Sequence, residues 1–183
     1  MDEFDYVIVG AGAAGCVLTN RLTKDGSTSV CVLEAGGMDG HPFISIPAGF
    51  VKTLYGDRFL WPFKTEPSAS LGGRSVAVPQ GKVVGGSSSV NGMVYNRGQA
   101  ADFDSWAQMG NRGWGFEDLL LYFKRSEQRI GDGDDKFRGR TGELPITDVD
   151  WINPLAEAFI DAAIGLGIPR IADYNAGTQF GAG

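Results

Sequence analysis

The stretch from Tyr6 to Gly36 constrains the fold more than any other. Tyr6-Val7-Ile8-Val9 is a short apolar run, and Gly10-Ala11-Gly12-Ala13-Ala14-Gly15 follows it directly. A helical pattern continues to about Lys24, and a second apolar run, Ser29-Val30-Cys31-Val32-Leu33, ends in Glu34-Ala35-Gly36. Strand, glycine loop, helix, strand and terminal acid is the order a dinucleotide-binding βαβ unit requires. Gly10 permits the tight turn off the strand, Gly12 lets the backbone approach a pyrophosphate, and Gly15 lets the helix pack closely on the sheet. The helix N-terminus aims free N–H groups and a partial positive charge at the phosphates. Glu34 lies about 20 residues after Gly15, where an acid accepts hydrogen bonds from a ribose 2′-OH and repels a 2′-phosphate. This stretch does not choose between FAD and NAD.

Composition narrows the class. A chain of 183 residues with 43% hydrophobic and 21% charged content supports one globular domain with a real core. Glycine is the outlier: its 28 residues are roughly twice the usual share, and they sit in loops between apolar runs. Net charge is −6 with no basic cluster, which argues against nucleic-acid binding. No apolar run approaches the ~18 residues that suggest a membrane span. The acidic start Met1-Asp2-Glu3-Phe4-Asp5 enters a strand at once and does not read as a basic leader, so a cytoplasmic location is expected. Cys16 and Cys31 are expected to be buried small hydrophobes rather than a disulfide, and they lack metal-ligand spacing.

Past the first unit, Gly37 to Phe50 is a long Gly- and Pro-containing connection that shows no period; His41, the sole histidine, lies in it beside Pro42 and reads as a loop residue. Two prolines interrupt Asp57 to Pro67, an irregular or edge strand, in which Trp61 reads as core filling ahead of a ligand-site wall. Leu71-Gly72-Gly73-Arg74 is turn-like, and Ser75 to Pro79 alternates like a strand. Helices are expected from Ala101 to Met109, stopped by Gly110, and from Gly115 to Arg125, with acids in the first turn and bases in the last. Gly131 to Lys136 is a hydrophilic loop without calcium-loop spacing, and no metal site is expected. Leu144 to Thr147 suggests an edge strand. Asn153 then caps a helix with Pro154 first, and Leu155, Phe159, Ala162 or Ala163 and Leu166 share one face.

The most unusual stretch is Gly81-Lys82-Val83-Val84-Gly85-Gly86-Ser87-Ser88-Ser89-Val90-Asn91-Gly92-Met93-Val94-Tyr95. Paired glycines, three serines and an asparagine do not make a core. They make a polar, backbone-lined floor between apolar walls, as a bound cofactor needs, and Asn91 can both donate and accept towards a planar heterocycle.

At Gly81–Asp104 the chain resembles the amino-terminal part of the glucose–methanol–choline (GMC) flavoprotein oxidoreductases. The first motif of that family is met by Gly81, Gly85-Gly86, Ser87-Ser88, Asn91, Tyr95, Gly98 and Asp104. Trp61 with Thr65-Glu66-Pro67, and Gly113-Trp114 with Tyr122-Phe123 and Glu127, are similar to its flanking segments.

The resemblance implies an α/β fold: an incomplete Rossmann-like FAD-binding βαβ unit with long flavin-embracing loops and the start of a substrate domain. It implies an FAD-binding domain over 1–142 and the start of a substrate-binding region over 143–183. By the same resemblance Gly10, Gly12, Ala13, Ala14 and Gly15 sit at the pyrophosphate, and Glu34 and Ala35 at the adenosine ribose. Lys82, Val84, Gly86 and Ser87 line the pyrophosphate and ribityl region. Asn91, Gly92, Met93 and Val94 border the isoalloxazine, which Trp61 also touches. Some family members attach FAD through a histidine just before the motif asparagine; here that residue is Val90, so FAD is expected to be non-covalent.

The implied activity is oxidation of a primary alcohol (choline-like, aryl-alcohol-like or hydroxymethylfurfural-like) to an aldehyde, with hydride passing to flavin N5 and oxygen or another acceptor reoxidising the cofactor. The family's catalytic histidine belongs to a carboxyl-terminal half. His41 matches no catalytic position, so the catalytic residues are expected outside this chain, in a missing half that would be its partner. The competing reading is a non-catalytic FAD-binding fragment, poorly soluble alone. An NAD-dependent dehydrogenase and a light-driven decarboxylase are more distant alternatives.

Overall fold

A computed structural model describes residues 3–183. The chain packs as two compact units, one ending at Val94 and the other spanning Tyr95–Gly183.

The first unit begins with strand β1 (Tyr6–Val9), helix α1 (Ala13–Leu22) and strand β2 (Val30–Leu33). β1 and β2 pair in parallel, Tyr6 opposite Val30 and Val9 opposite Leu33, with α1 as the crossover. This is the βαβ unit that the apolar runs predict, and it agrees with the incomplete Rossmann-like fold that the resemblance implies. At the open end of the ladder the Asp5 carboxylate accepts from Ser29 N at 2.8 Å and Ser29 Oγ at 2.7 Å. At the other end Gly10 N donates to Leu33 O at 2.7 Å. Gly10 then turns with φ +94°, and a Cβ on Gly15 would stand 2.0 Å from Gly10 O, so the helix can leave the strand only where glycine occupies both positions.

α1 buries only Gly15 within this unit. The expectation that both cysteines are buried is therefore corrected: Cys16 is exposed on the open side of α1, while Cys31 is half-buried in β2. Both are free thiols, and Cys16 Sγ donates to Ala11 O at 3.2 Å.

The aperiodic connection holds a one-turn helix, α2 (Pro42–Ser45), and a second, α3 (Phe50–Thr53), starts at the connection's last residue. A single turn is too short to leave a hydrophobic period in the sequence. His41 has a structural role there, capping α2 as Nδ1 accepts from Phe43 N at 3.1 Å. Strands β3 (Leu60–Trp61) and β4 (Gln80–Gly81) pair antiparallel. Phe59, Leu60, Val83 and Val90 form the core of the unit, with Ile44 packed against it. The strand expected over Ser75 to Pro79 is reduced to one antiparallel bridge, Lys64 with Ala77. Pro62, Pro67 and Pro79 withhold the N–H groups that a longer ladder would need.

In the second unit α4 (Ala100–Gln108) opens with a capping box between Gln99 and Asp102. α5 (Phe116–Ser126) starts at Gly115 and takes its cap from α4, because Phe116 N donates to Asp104 Oδ1 at 2.9 Å. Phe103 meets Trp106, Phe116 and Phe123 at ring-centroid distances of 5.5, 6.2 and 5.5 Å, welding the two helices. α5 runs directly into β5 (Glu127–Arg129), which pairs in parallel with β6 (Leu144–Ile146). β5 carries no strand-like composition. Glu127, fully buried, is held by Arg97 and by Arg138 Nη2 at 2.6 Å, and Arg138 Nη1 also reaches Asp173 Oδ1 at 3.1 Å.

Finally α6 (Pro154–Gly165) is capped by Asn153, whose Oδ1 accepts from Leu155 N at 2.9 Å. Its apolar stripe faces out, with Leu155 78%, Phe159 75% and Leu166 85% exposed. Among the described residues no helix is long and apolar enough to cross a membrane.

Candidate dinucleotide site

The first unit brings its two glycine-rich segments together along two short ribbons. Gly85 N donates to Ala11 O at 2.7 Å, and Gly12 bridges Gly85 in parallel. Val84 N donates to Gly37 O at 2.9 Å, and Gly37 bridges Val83. Three glycines at or beside these crossings have no room for a side chain. A Cβ on Gly86 would lie 2.8 Å from Gly12 Cα, one on Gly36 2.1 Å from Lys82 O, and one on Gly81 2.3 Å from the Gly86 carbonyl.

Beside the crossing lies a hollow of about 510 Å³, within the range of small-molecule sites. One wall is Val9, Gly10, Gly12, Ala13, Ala14 and Gly15; another is Leu33, Glu34 and Ala35; the third is Trp61, Gln80, Gly81, Gly86, Ser87 and Ser88. The N-terminus of α1 opens into it with Gly12 as a cap that supplies no side-chain acceptor, so its first N–H groups stay free for an anion. Ser87 Oγ accepts from Gly81 N at 2.9 Å and donates to Gln80 Oε1 at 3.2 Å, fixing the floor.

Glu34 is the single ionisable side chain among the described residues lining the hollow. Its Oε1 accepts from Gly36 N and its Oε2 from Ala11 N, both at 2.8 Å. These two backbone donors, Gly36 first, hold its carboxyl below the usual glutamate range. The carboxylate therefore ties the glycine loop to the end of β2, and its remaining lone pairs are still free to accept.

Of the residues singled out in the sequence, Gly10, Gly12, Ala13, Ala14, Gly15, Glu34, Ala35, Trp61, Gly86 and Ser87 meet at this hollow. Trp61 is 37% exposed, which corrects the composition-based reading of it as core; the two-residue strand that carries it ends at Pro62, before a second layer can cover the indole. Lys82, Val84, Asn91, Gly92, Met93 and Val94 are not part of its lining. Asn91 Oδ1 accepts from Met93 N at 2.9 Å, and Met93 is held at φ +58°, so these four residues form a tight exposed turn. Val9, Leu33 and Gln80 join the lining without having been marked by motif, and Gly81 and Ser88, which the motif did mark, join it too. Strand pairing was the missing signal for Gln80, which lies opposite Trp61. His41 instead borders a second hollow of about 430 Å³ with Arg58 and Phe59.

A glycine-lined helix N-terminus, an acid at the end of the second strand and an aromatic wall define a dinucleotide-binding α/β protein. The comparisons narrow this. The GMC oxidoreductase family model matches residues 4–183, and the chain belongs to that family. It is 47% identical over 183 residues to an oxygen-dependent choline dehydrogenase from Vibrio vulnificus, covering 99% of this chain and 32% of the relative. The structure of pyridoxine 4-oxidase from Mesorbium loti superposes with a TM-score of 0.85 at 39% identity, over 98% of this chain and 35% of that one. An FAD-dependent oxidoreductase from Chaetomium thermophilum gives 0.81 at 33% identity, over 98% and 32%. The chain thus spans about one third of the length of the curated relatives it matches.

Proposed function

We propose that this chain is the FAD-holding part of an oxidoreductase that converts a primary alcohol to an aldehyde. The observation that carries the reading is the joining of Gly10–Gly15 to Gly81–Ser88 around one hollow that ends in an aromatic side chain. The fit to FAD is steric as well as chemical. Where the loop crosses the Gly85-Gly86 turn, a Cβ on Gly86 would push Gly12 away and open the cradle, and the free N–H groups of α1 suit a pyrophosphate. Membership of the GMC family and likeness to an FAD-dependent structure support FAD over a nicotinamide cofactor.

In this reading Gly10, Gly12, Ala13, Ala14 and Gly15 hold the pyrophosphate, and Glu34 with Ala35 borders the adenosine ribose. Gly86 and Ser87, with Lys82 and Val84 behind them, support the middle of the cofactor. Asn91 to Val94 form the turn nearest the isoalloxazine, and Trp61 offers it an aromatic face. Val90, 4% exposed in the core, offers no atom for covalent attachment, which supports non-covalent FAD. When bound, FAD supplies the two-electron acceptor for the alcohol's α-C–H bond. The names of the curated relatives favour a choline-like alcohol; aryl-alcohol-like and hydroxymethylfurfural-like substrates are the nearest alternatives.

The lining of the hollow supports a second reading for the chain by itself: binding without turnover. Among the described residues Glu34 is its one ionisable group, and two N–H donors, Gly36 first, weaken it as a base, so no group here is poised to take a hydroxyl proton. The residues that do so would come from the rest of a longer protein.

Purified residues 1–183 should be titrated with FAD and with NAD, followed by flavin absorbance and calorimetry. Expected are one FAD bound per chain, its release into the supernatant on acid denaturation, and no bleaching with choline or benzyl alcohol. Preference for NAD would sink the FAD reading, flavin retained on the denatured chain would sink the non-covalent one, and alcohol-dependent bleaching would sink binding without turnover.

A further inference from the structure

We propose that Lys82 is a positioning residue that acts through Trp61, holding the indole as a preformed wall for the ring system of the cofactor. This rests on the FAD reading above. A lysine in a glycine-rich loop ordinarily reads as a phosphate contact, yet Lys82 is not among the residues lining the hollow.

Its placement follows from the ladder. Trp61 lies directly opposite Gln80, so Lys82, two positions further on, is its diagonal neighbour, within reach of a long side chain. The backbone there is fixed, since Lys82 N donates to Phe59 O at 2.7 Å and Lys82 O packs where Gly36 has no side chain. From that anchor Lys82 Nζ sits 4.5 Å from the Trp61 ring centroid, well inside cation–π range. Among the described residues no carboxylate is ion-paired with Lys82 to draw it away. Trp61 also stacks on Phe63, with centroids 6.0 Å apart and planes 11° apart. A half-exposed indole on a two-residue strand would otherwise be free to change rotamer. The ammonium and the parallel ring order it before a ligand arrives, and affinity rises because that ordering cost is removed in advance.

The test compares FAD with ADP, which shares the diphosphate and adenosine but lacks the isoalloxazine. Both would be titrated calorimetrically against the wild-type chain, Lys82→Met, Lys82→Arg, Trp61→Leu and the Lys82→Met/Trp61→Leu double variant. Lys82→Met is expected to weaken FAD about three- to tenfold and leave ADP unchanged, Lys82→Arg to retain affinity, and Lys82→Met to have no further effect in the Trp61→Leu background. Without any ligand, the Trp61 indole N–H resonance, assigned by its loss in Trp61→Leu, should shift in Lys82→Met. Equal weakening of FAD and ADP, or weakening that persists in the Trp61→Leu background, overturns the proposal in favour of a phosphate contact. Wild-type FAD affinity and an unmoved resonance in Lys82→Met overturn it while leaving the FAD reading intact. A wild-type chain that binds ADP but not FAD overturns both. If Lys82→Met loses the far-ultraviolet circular dichroism of the fold, Lys82→Gln serves for the same comparison.

Discussion

At the scale of single residues, two positions carry the cofactor loop. Gly15 faces Gly10 O so closely that a methyl group would stand 2.0 Å from it, and both atoms belong to backbone that cannot swing aside. Gly15→Ala should therefore destabilise the first unit by about 1–3 kcal/mol, seen as a lower urea midpoint, even though alanine is the better helix former. Glu34 works by charge. Its carboxyl is held low by Gly36 N and Ala11 N, so the stability it contributes is fully present above the unfolded-state value near 4.5 and is lost as pH falls through the lower folded-state value. Glu34→Gln keeps the shape but loses the charge-assisted bonds, costing about 1.5–3 kcal/mol at neutral pH. The measurement is urea unfolding from pH 7 down to pH 3: the gap between Glu34→Gln and the wild type should close as the pH drops. A gap that stays constant would mean that charge has no part in it.

Elements in this protein borrow their ends from one another. α5 begins at a glycine that offers no side chain, and Asp104, projecting from α4, accepts from Phe116 N in its place. Asp104→Ala should cost about 1 kcal/mol, the usual loss on removing a cap, and Asp104→Asn, which keeps an acceptor, should recover most of it in thermal melts. α6, by contrast, is capped from its own sequence by Asn153 and Pro154, and there the local pattern was sufficient. The β3–β4 ladder is only two residues long because prolines flank it, yet it sets Trp61 opposite Gln80 and so shapes one wall of the hollow.

Across the whole molecule each unit rests on a different physical basis. The first has a small apolar core around Val83, but its β1–β2 pair leaves Val7 58% and Val9 84% exposed. Parallel strands of this composition normally have both faces covered, which agrees with the chain spanning a third of its relatives' length. The isolated chain should therefore bind the hydrophobic dye ANS in its native state; absence of dye fluorescence would count against an open apolar surface. The second unit centres on a buried charge. Glu127 joins Arg97, Arg138 and, through Gly139 N at 3.1 Å, a glycine turn, so that distant stretches of chain meet at one carboxylate. Glu127→Gln leaves two buried guanidinium groups without their shared counter-charge and should cost about 3–5 kcal/mol, the penalty for breaking a buried pair, measurable by urea unfolding.

Local chemistry settled much of this protein. The period of apolar residues and the spacing of Gly10, Gly12, Gly15 and Glu34 determined the βαβ unit, because strand, turn and helix each depend on neighbours close in sequence. The cap at Asn153 and the helices near Asp102 and Glu117 were legible for the same reason. What the sequence could not settle were contacts between residues far apart along the chain. It placed Cys16 and Trp61 indoors, and only the tertiary structure showed Cys16 exposed and Trp61 covered in part, by Lys82 and Phe63. It marked Glu127 only as part of a segment resembling the family and not as a buried charge, since an acid reads as surface until the fold sets two arginines against it. The meeting of Gly12 with Gly85 and Gly86, and the ammonium of Lys82 above Trp61, depend on strand pairing over tens of residues. Pairing of that range is decided by close approach of backbone and by packing, neither of which leaves a period in the sequence.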